Sequence, residues 1–445
     1  MKISLAIALA GLPRLWAQSP LSLAEAVQTG LEHNPAIEAS SAGKDAAQSR
    51  IQSARSGLLP KLTYSESYQR SDNPVFVFGS LLTQHQFKQE NFDLGALNSP
   101  NFLNNFQSQV RVNQVLYDFG ATRSGVHSAE LSSQVAGEDQ RRARMGVIAG
   151  VAGAYFGAVL AKEHLAVAQE SVRSAEADLQ HAETVRSAGM STDADVLSVR
   201  VHLAAMRERE IQARYALDVA GAALDDALGL PLETQHQLST ALAPATLTNA
   251  DLEQLDKSAI QQAPDTRKAE LAVSVAEAQS DAARSALWPR ISALGAFEAD
   301  RQRFVTRGGA NWLVGASLEW NVFDGGKDRS RTKEATQLLA AARAEQKRTD
   351  SAARLEVRRA YAAWKGAQER IAVAAAAVAQ AEESLRITRN RYDAGLTTIT
   401  ELLRNETATL ETKTNHLDAI YEQRLAATAL ELAAGALSGD SDALK

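Results

Sequence analysis

The 445-residue chain carries 47 Lys and Arg against 53 Asp and Glu, a formal charge of −6, with 5% aromatic residues, 10 prolines and no cysteine. That balance leaves no basic excess for phosphate contacts and excludes a nucleic-acid binder. The alanine-rich, proline-poor bias is that of long helices, and without cysteine there is neither a disulfide nor an N-terminal lipid attachment.

The chain opens MKISLAIALAGLPRLWAQSP: one lysine, an apolar run over 3–12, then a small residue at Ala17. This predicts a secretory signal peptide over 1–17, too short to span a bilayer, and hence an exported protein. Ser22 followed by Glu25 makes a capping box, with Leu21 ahead of it and a helix running to about His33. Pro35 starts a second helix that runs toward Leu58 and stops at Pro60.

Beyond Pro60 the period changes from helical to alternating. Leu62, Tyr64 and Tyr68 fall on one side of a strand over about 61–70, with Lys61, Thr63, Ser65 and Ser67 on the other. A second strand over about 107–117 puts Val110, Val112 and Leu116 on one face and Gln109, Arg111 and Asn113 on the other. Between them the polar-aromatic stretch 73–102 reads as a long extracellular loop, since outer-membrane barrels keep long loops outside.

A proline-free stretch follows from 121 to 186, which as one helix extends on the order of 100 Å at about 1.5 Å per residue. Leu165, Ala168, Val172, Ala175, Leu179 and Ala182 step by threes and fours along it, forming a heptad seam. A break at Ala188-Gly189-Met190 turns the chain. Ser191 is the expected cap of a returning helix that runs to about Leu228, with its own seam at Val196, Val199, Leu203 and Met206. Residues 229–257, containing Pro231 and Pro244, read as a linker.

The remainder repeats what came before. QVLYDFG at 114–120 returns as WNVFDGG at 320–326, Tyr155 returns as Tyr361, and SAGMSTDADVL at 187–197 returns as DAGLTTITELL at 393–403; 324 − 118, 361 − 155 and 395 − 189 all equal 206. Upstream, Pro35/Pro264 and Pro60/Pro289 are both 229 apart, so the first copy holds 229 − 206 = 23 extra residues before Asn113, which fall in the 73–102 loop. The chain is therefore a duplicated half-protein: a first repeat over 18–228, the linker, a second repeat over 258–437 and a polar tail over 438–445. The second copy supplies a strand over about 290–299, where Ile291, Ala293, Gly295 and Phe297 alternate with Ser292, Leu294 and Ala296, a strand over about 311–322, where Trp312, Val314, Ala316, Leu318 and Trp320 alternate with Leu313, Gly315, Ser317 and Glu319, and long helices over 327–437. Its seams lie at Ile371, Ala374, Val378, Ala381, Leu385 and Thr388, then at Leu403, Leu410 and Leu417, with Thr397 as the expected cap after Ala394-Gly395-Leu396.

Met145 to Ala161 is uncharged, with glycines at 146, 150, 153 and 157, and could be taken for a membrane span. The repeat decides against it, because the partner segment 351–367 contains Arg354, Glu356, Arg358, Arg359 and Lys365. The glycines are expected at close helix contacts instead. The expected fold is thus an α+β membrane protein. Four strands cannot close a bacterial barrel, whose minimum is about eight, so copies of the chain must share strands: two give eight, three give twelve.

LSLAEAVQTGLEHNP near the start, SARSGLLPKL and AARSALWPRI before the strands, YDFG and FDGG after them, and the paired glycine turns together resemble the outer-membrane efflux protein family, the TolC-like outer membrane factors. The resemblance covers the whole mature chain. It implies a homotrimer with a twelve-stranded barrel in outer-membrane lipid, continued by a periplasmic tunnel of twelve coiled-coil helices. It also implies a periplasmic adaptor protein and an inner-membrane pump, of the resistance-nodulation-division or ABC type, as partners. The implied function is a passive exit duct for drugs, toxic small molecules or metal ions; the alternative in the same architecture is the duct of a type I protein secretion system. A non-channel coiled-coil scaffold explains the heptads but leaves the strands unused.

By the resemblance, Gly189-Met190-Ser191 and Gly395-Leu396-Thr397 form the tip that meets the adaptor. Where some relatives carry two aspartates narrowing the pore, this chain has Glu401 and Arg404, matched in the first copy by Asp195 and Ser198. Arg404 departs from that pattern and implies alternating acid and base at a periplasmic gate, held by salt bridges. The plainer reading is an exposed pair three residues apart on one helix. Asp118-Phe119-Gly120 spells a kinase triplet but lacks its companions and reads as a strand-end turn. The eight histidines lack metal-ligand spacing, and no catalytic set stands out, so neither metal, cofactor nor enzymatic activity is expected.

Overall fold

A computed structural model describes residues 20–234, 236–248 and 251–445; the predicted signal peptide lies outside them. The chain folds into two compact units. One holds the sheet and is built from 43–137 and 268–347; the other holds the tip turns and is built from the segment up to 42 with 138–267 and 348–445.

The sheet unit contains β1 (Lys61–Ser71), β2 (Leu103–Tyr117), β3 (Arg290–Arg301) and β4 (Gly309–Glu319), antiparallel in the order β1-β2-β3-β4. The register puts Leu62 beside Val112, Tyr64 beside Val110 and Tyr68 beside Phe106. It then sets Val110 beside Phe297, and Phe297 beside Trp312. Cross-strand partners share a face, so the four apolar runs read from the sequence lie on one side of one sheet, except at Leu116, where the register shifts between Val115 and Tyr117 and sets Tyr117 beside Ile291. Leu62, Tyr64, Trp312, Val314 and Leu318 are exposed there. The opposite face carries Ser65, Gln109 and Glu298 in register. Such a sheet suits a boundary between hydrocarbon and water.

Asp118 and Asp324 end the strand segments as local caps. The Asp118 carboxylate accepts from the amides of Gly120 (3.2 Å) and Thr122 (2.8 Å), and that of Asp324 from Gly326 (3.0 Å) and Asp328 (2.8 Å). Each starts one of the two longest helices, α5 and α9 below, which explains why Asp and Gly recur there. Phe119, at φ +53°, stacks on Trp288 at 5.3 Å.

The 73–102 stretch, expected as a long loop, contains short helices. It folds as α3 (Pro74–Thr83), a 3₁₀ turn (Gln89–Phe92) and α4 (Leu94–Asn98). Asn73 caps α3 through the Phe76 amide, Pro74 sits in its first turn, and Phe78, Phe87 and Phe92 pack edge to face at 4.9 and 5.1 Å. Gln84 just beyond α3 donates to the Asn105 side chain (2.9 Å), which donates to Asp300 (2.6 Å), while Asn311 reaches the Thr83 carbonyl (3.2 Å). These partners lie on the polar face, so the loop is fastened across it. The same contacts extend β2 back to Leu103, four residues before the expected start.

The second unit is helical. It contains α1 (Leu23–His33), α6 (Asp193–Leu228), α7 (Leu252–Gln262) and α10 (Ile399–Ala433). Parts of α2 (Pro35–Arg55), α5 (Ala121–Ser187), α8 (Pro264–Ser285) and α9 (Lys327–Asp393) complete it. Its main core joins Leu23 and Val27 of α1 to Ile148, Val151, Tyr155, Phe156 and Val159 of α5 and Leu224 and Leu228 of α6. The apolar segment 145–161 is therefore core. Of its glycines, a Cβ at 153 would touch Leu425 (3.4 Å) and one at 157 would touch Tyr421 (3.6 Å), whereas 146 and 150 have no neighbour within 4 Å. Tyr155 is fully buried, and its hydroxyl donates to the Leu21 carbonyl (2.8 Å) and accepts from the Thr240 amide (2.9 Å).

Two boundaries are corrected. The 229–257 stretch contains the start of α7, capped by Asp251 through the Gln254 amide (3.3 Å), and its middle pairs Leu238 with Leu21. The last long helix ends at Ala433 rather than 437. Gly435, at φ +72°, closes it because a Cβ there would come within 2.6 Å of Ala263.

Candidate functional site

Each long helix pair turns through a glycine in left-handed conformation, Gly189 at φ +77° and Gly395 at +71°. The Gly189 amide bonds the Arg186 carbonyl (2.9 Å) and Met190 that of Val185 (3.0 Å); Gly395 bonds Tyr392 (2.9 Å) and Leu396 bonds Arg391 (2.7 Å). These paired bonds close both helices identically and need a residue without Cβ at the turn. Met190 and Leu396 are then held outward, 75% and 69% exposed.

The caps of the returning helices differ from those expected. Thr192 and Thr398, rather than Ser191 and Thr397, are the N-caps. Four residues, 188–191 and 394–397, lie between each helix end and the next N-cap, which sets each cap one position on. Thr192 forms a full capping box: its hydroxyl accepts from the Asp195 amide (3.2 Å), and the Asp195 carboxylate accepts from the Thr192 amide (3.1 Å) and hydroxyl (2.8 Å). Ser191 adds a third bond to that carboxylate (3.0 Å). The backbone and hydroxyl of Thr192, followed by Ser191, hold the Asp195 carboxyl below its usual range. Thr398 makes no side-chain cap bond.

The four gate candidates are thereby separated by role. Asp195 is occupied in the cap, and the Ser198 hydroxyl donates to the Ala194 carbonyl (2.9 Å). Glu401 and Arg404 are exposed, and among the described residues no ion pair joins them. The helix-surface pair expected on the plainer reading is absent. Ile399 and Leu402, on the other side of α10, pack with Ala182, Val196 and Val199. Neighbouring seams behave as read: Val172, Ala175, Leu203, Met206 and Leu410 form a further cluster.

Sequence reading missed a buried polar cluster in which α5, α6, α9 and α10 each place a side chain. Glu406 of α10, its side chain 8% exposed, accepts from the Ser174 hydroxyl (3.0 Å) and from Arg389, and lies 3.2 Å from the His202 ring. Arg389 Nη2 also reaches both oxygens of Asp178 (3.2 and 3.4 Å) and the Ser174 hydroxyl (3.0 Å). Burial first, then the neighbouring Glu406, push the Asp178 carboxyl up to about 8. Burial also raises Glu406, but His202, Asp178, Arg389 and Ser174 outweigh it and bring that carboxyl below its usual range. The guanidinium Nε of Arg389 is buried without a partner. A cavity of about 80 Å³ borders the cluster, lined by Glu170, Ser174, His202, Glu406 and Lys413 among others.

Among the described residues no group of three or more His, Asp or Glu side chains is arranged to hold a metal ion. The profile of the outer membrane efflux protein family matches residues 26–230 and 255–436. Among curated proteins the chain is similar to protein CyaE of Bordetella pertussis, 28% identical over 440 residues that cover 94% of this chain and 84% of CyaE. It is also similar to the alkaline protease secretion protein AprF of Pseudomonas aeruginosa, 26% identical over 333 residues, 72% of this chain and 64% of that one. Among solved structures it superposes on the CmeC outer membrane channel of Campylobacter jejuni with a TM-score of 0.80 at 17% identity, over 99% of this chain and 96% of that chain.

Proposed function

The chain belongs to the outer membrane efflux protein family and is an outer-membrane exit duct; from that premise we propose that three copies close it, each supplying four strands to a twelve-stranded barrel. The observation that carries the reading is the sheet itself. Its outer strands β1 and β4 are paired on one side only, and both faces of β1 are open along most of its length. Unpaired strand edges cannot stay in hydrocarbon, so the edge of β1 must meet β4 of a second copy. Exposed apolar residues on α6, namely Leu197, Val201, Ile211, Tyr215 and Val219, give the helical unit a matching surface to cover.

In this reading the repeats over 18–228 and 258–437 are quasi-equivalent halves. Met190 and Leu396, with the turns 189–191 and 395–397, dock on a periplasmic adaptor. Glu401 and Arg404, without an ion-pair partner among the described residues, pair between copies and gate the duct, while Asp195 and Ser198 serve the helix start. A pump of the resistance-nodulation-division or ABC type supplies the energy, so the duct conducts passively and catalyses nothing. Substrates are small toxic molecules or metal ions. The likeness to a protease secretion protein supports a second reading, a duct for an exported polypeptide.

Purified protein in a planar bilayer tests the duct, with mass measured under native conditions. Discrete conductance steps from a particle three chains in mass are expected. A monomer, or a bilayer without steps, refutes it. Loss of tolerance to drugs or metals on deletion supports the first substrate class, and loss of a secreted protein the second.

A further inference from the structure

The Asp178 cluster is neither part of the turns nor of the Glu401/Arg404 pair, and it is a buried place where charged side chains of the two helical hairpins meet. We infer that Asp178 and Glu406 together bind one proton, and that this proton latches the α5/α6 hairpin to the α9/α10 hairpin.

The geometry gives the reason. Two carboxylates from different hairpins meet one guanidinium, and Arg389 Nη2 is already shared among Asp178, Glu406 and Ser174. One positive charge balances one negative charge. A second carboxylate, ionised and buried beside the first, has no second permanent cation in the cluster, where the His202 ring adds positive charge only by taking up a proton itself, whereas a protonated carboxyl can donate a hydrogen bond to its neighbour. Glu406 holds the charge because His202 and Ser174 also address it, leaving Asp178 as the protonated member.

The surroundings supply no second permanently charged partner for Asp178. On α5, His181 lies 3.8 Å from Asp393 of α9, and Glu170 lies 3.8 Å from Lys413 of α10. Lys413 is further engaged by Glu382 of α9 at 3.1 Å. On α6 the group facing the cluster is His202. Asp393, close enough to act on Asp178, adds negative charge. The bordering cavity reaches Ser174, His202 and Glu406 of the cluster.

The sign follows from linkage. Asp178 is raised in the packed hairpins relative to a separated, solvated state, so the proton's contribution is complete in acid. It is lost as pH rises from about 4, the ordinary carboxylate value, to about 8, and is flat above that. Acid tightens the latch and neutral to mildly alkaline conditions loosen it. If the hairpins gate a duct, as proposed above, acid favours the closed form; the proton site itself does not rest on that proposal.

The cysteine-free chain permits spin labels at Met190→Cys and Leu396→Cys, read by pulsed dipolar spectroscopy between pH 5 and 9, alongside infrared difference spectra of protonated carboxyls. The parent should show a protonated-carboxyl band at pH 7 that is lost by pH 9. Its label distances should move to a longer population with pH, the ratio changing by up to about tenfold per unit below pH 8. Asp178→Asn, which keeps the shape of the protonated side chain, should lack the band and hold the acid distances throughout. Absence of the band in the parent overturns the proton site. A band that titrates while the distances stay fixed, or distances that respond equally in Asp178→Asn, overturns the latch.

Discussion

The two tip turns make identical backbone bonds, yet only the first is reinforced by a side-chain cap, and that difference can be measured. Replacing Thr192 by Ala removes the hydroxyl that accepts from the Asp195 amide (3.2 Å) and donates to its carboxylate (2.8 Å). Loss of an N-cap of this type costs about 0.5–2 kcal/mol. As opening of the first turn of α6, that is roughly 2- to 30-fold faster amide exchange at Asp195 and Val196. The equivalent substitution, Thr398→Ala, removes no side-chain cap bond and should leave exchange at Glu401 and Leu402 within about twofold of the parent. Hydrogen exchange resolved over 188–198 and 394–404 provides the assay. The carboxyl of Asp195 is depressed by this cap, so its contribution is present at neutral pH. It should fade as pH falls below about 4, narrowing the difference between parent and Thr192→Ala in acid to the part owed to the Asp195 amide bond. Equal acceleration in both variants, or none in Thr192→Ala, would refute the asymmetry.

Three further outcomes follow from the same geometry. Tyr155→Phe strips the partner from the buried Leu21 carbonyl and Thr240 amide and should destabilise the helical unit by about 1–3 kcal/mol in denaturant titrations, with assembly unchanged. Met190→Glu combined with Leu396→Glu alters two side chains that touch little in the chain; it should abolish co-purification of an adaptor while leaving trimer mass and conductance intact. Arg404→Ser should raise single-channel conductance and cation preference by removing pairing to Glu401 of a neighbouring copy, and unchanged values would take Arg404 away from the constriction.

What the sequence disclosed was whatever rested on period and punctuation. The alternation of Leu62, Tyr64 and Tyr68 and of Trp312, Val314 and Leu318 specified one face of the sheet, because a strand cannot change faces without a register slip. Gly189 and Gly395 marked the turns since positive φ without a Cβ is hard to obtain otherwise. The failures were of two kinds. Some signals were present but not used: Asn73-Pro74 is a helix start, and Gly435 a helix stop. Others required tertiary knowledge, as with the cap at Thr192, whose position depends on how many residues the preceding turn absorbs. Gln84 and Asn105 belong to the second kind. They are unremarkable polar residues 21 positions apart until the fold sets one against the other.

The 206-residue repeat did contain a trace of the buried cluster. Arg389 and Glu406 correspond to Glu183 and Arg200, since 389 − 183 and 406 − 200 both equal 206, and both pairs join the two helices of one hairpin, with reversed charge. In the first hairpin the pair lies in solvent, with side chains 45% and 56% exposed. There it needs no other partner and contributes little. In the second, Glu406 turns inward to 8% exposure against α5 and α6, and burial makes the same interaction costly unless every oxygen is addressed. Ser174 and His202 meet that need, while Asp178 has no charged counterpart, its position 206 residues on being Ser384. Duplication therefore preserved the rung and its spacing while burial converted one copy from a surface pair into a site with one carboxylate too many. An excess of that kind is hard to retain for stability alone, because replacing Asp178 by a neutral side chain of the same shape would remove it; its presence in the more buried copy is what a proton-dependent contact requires.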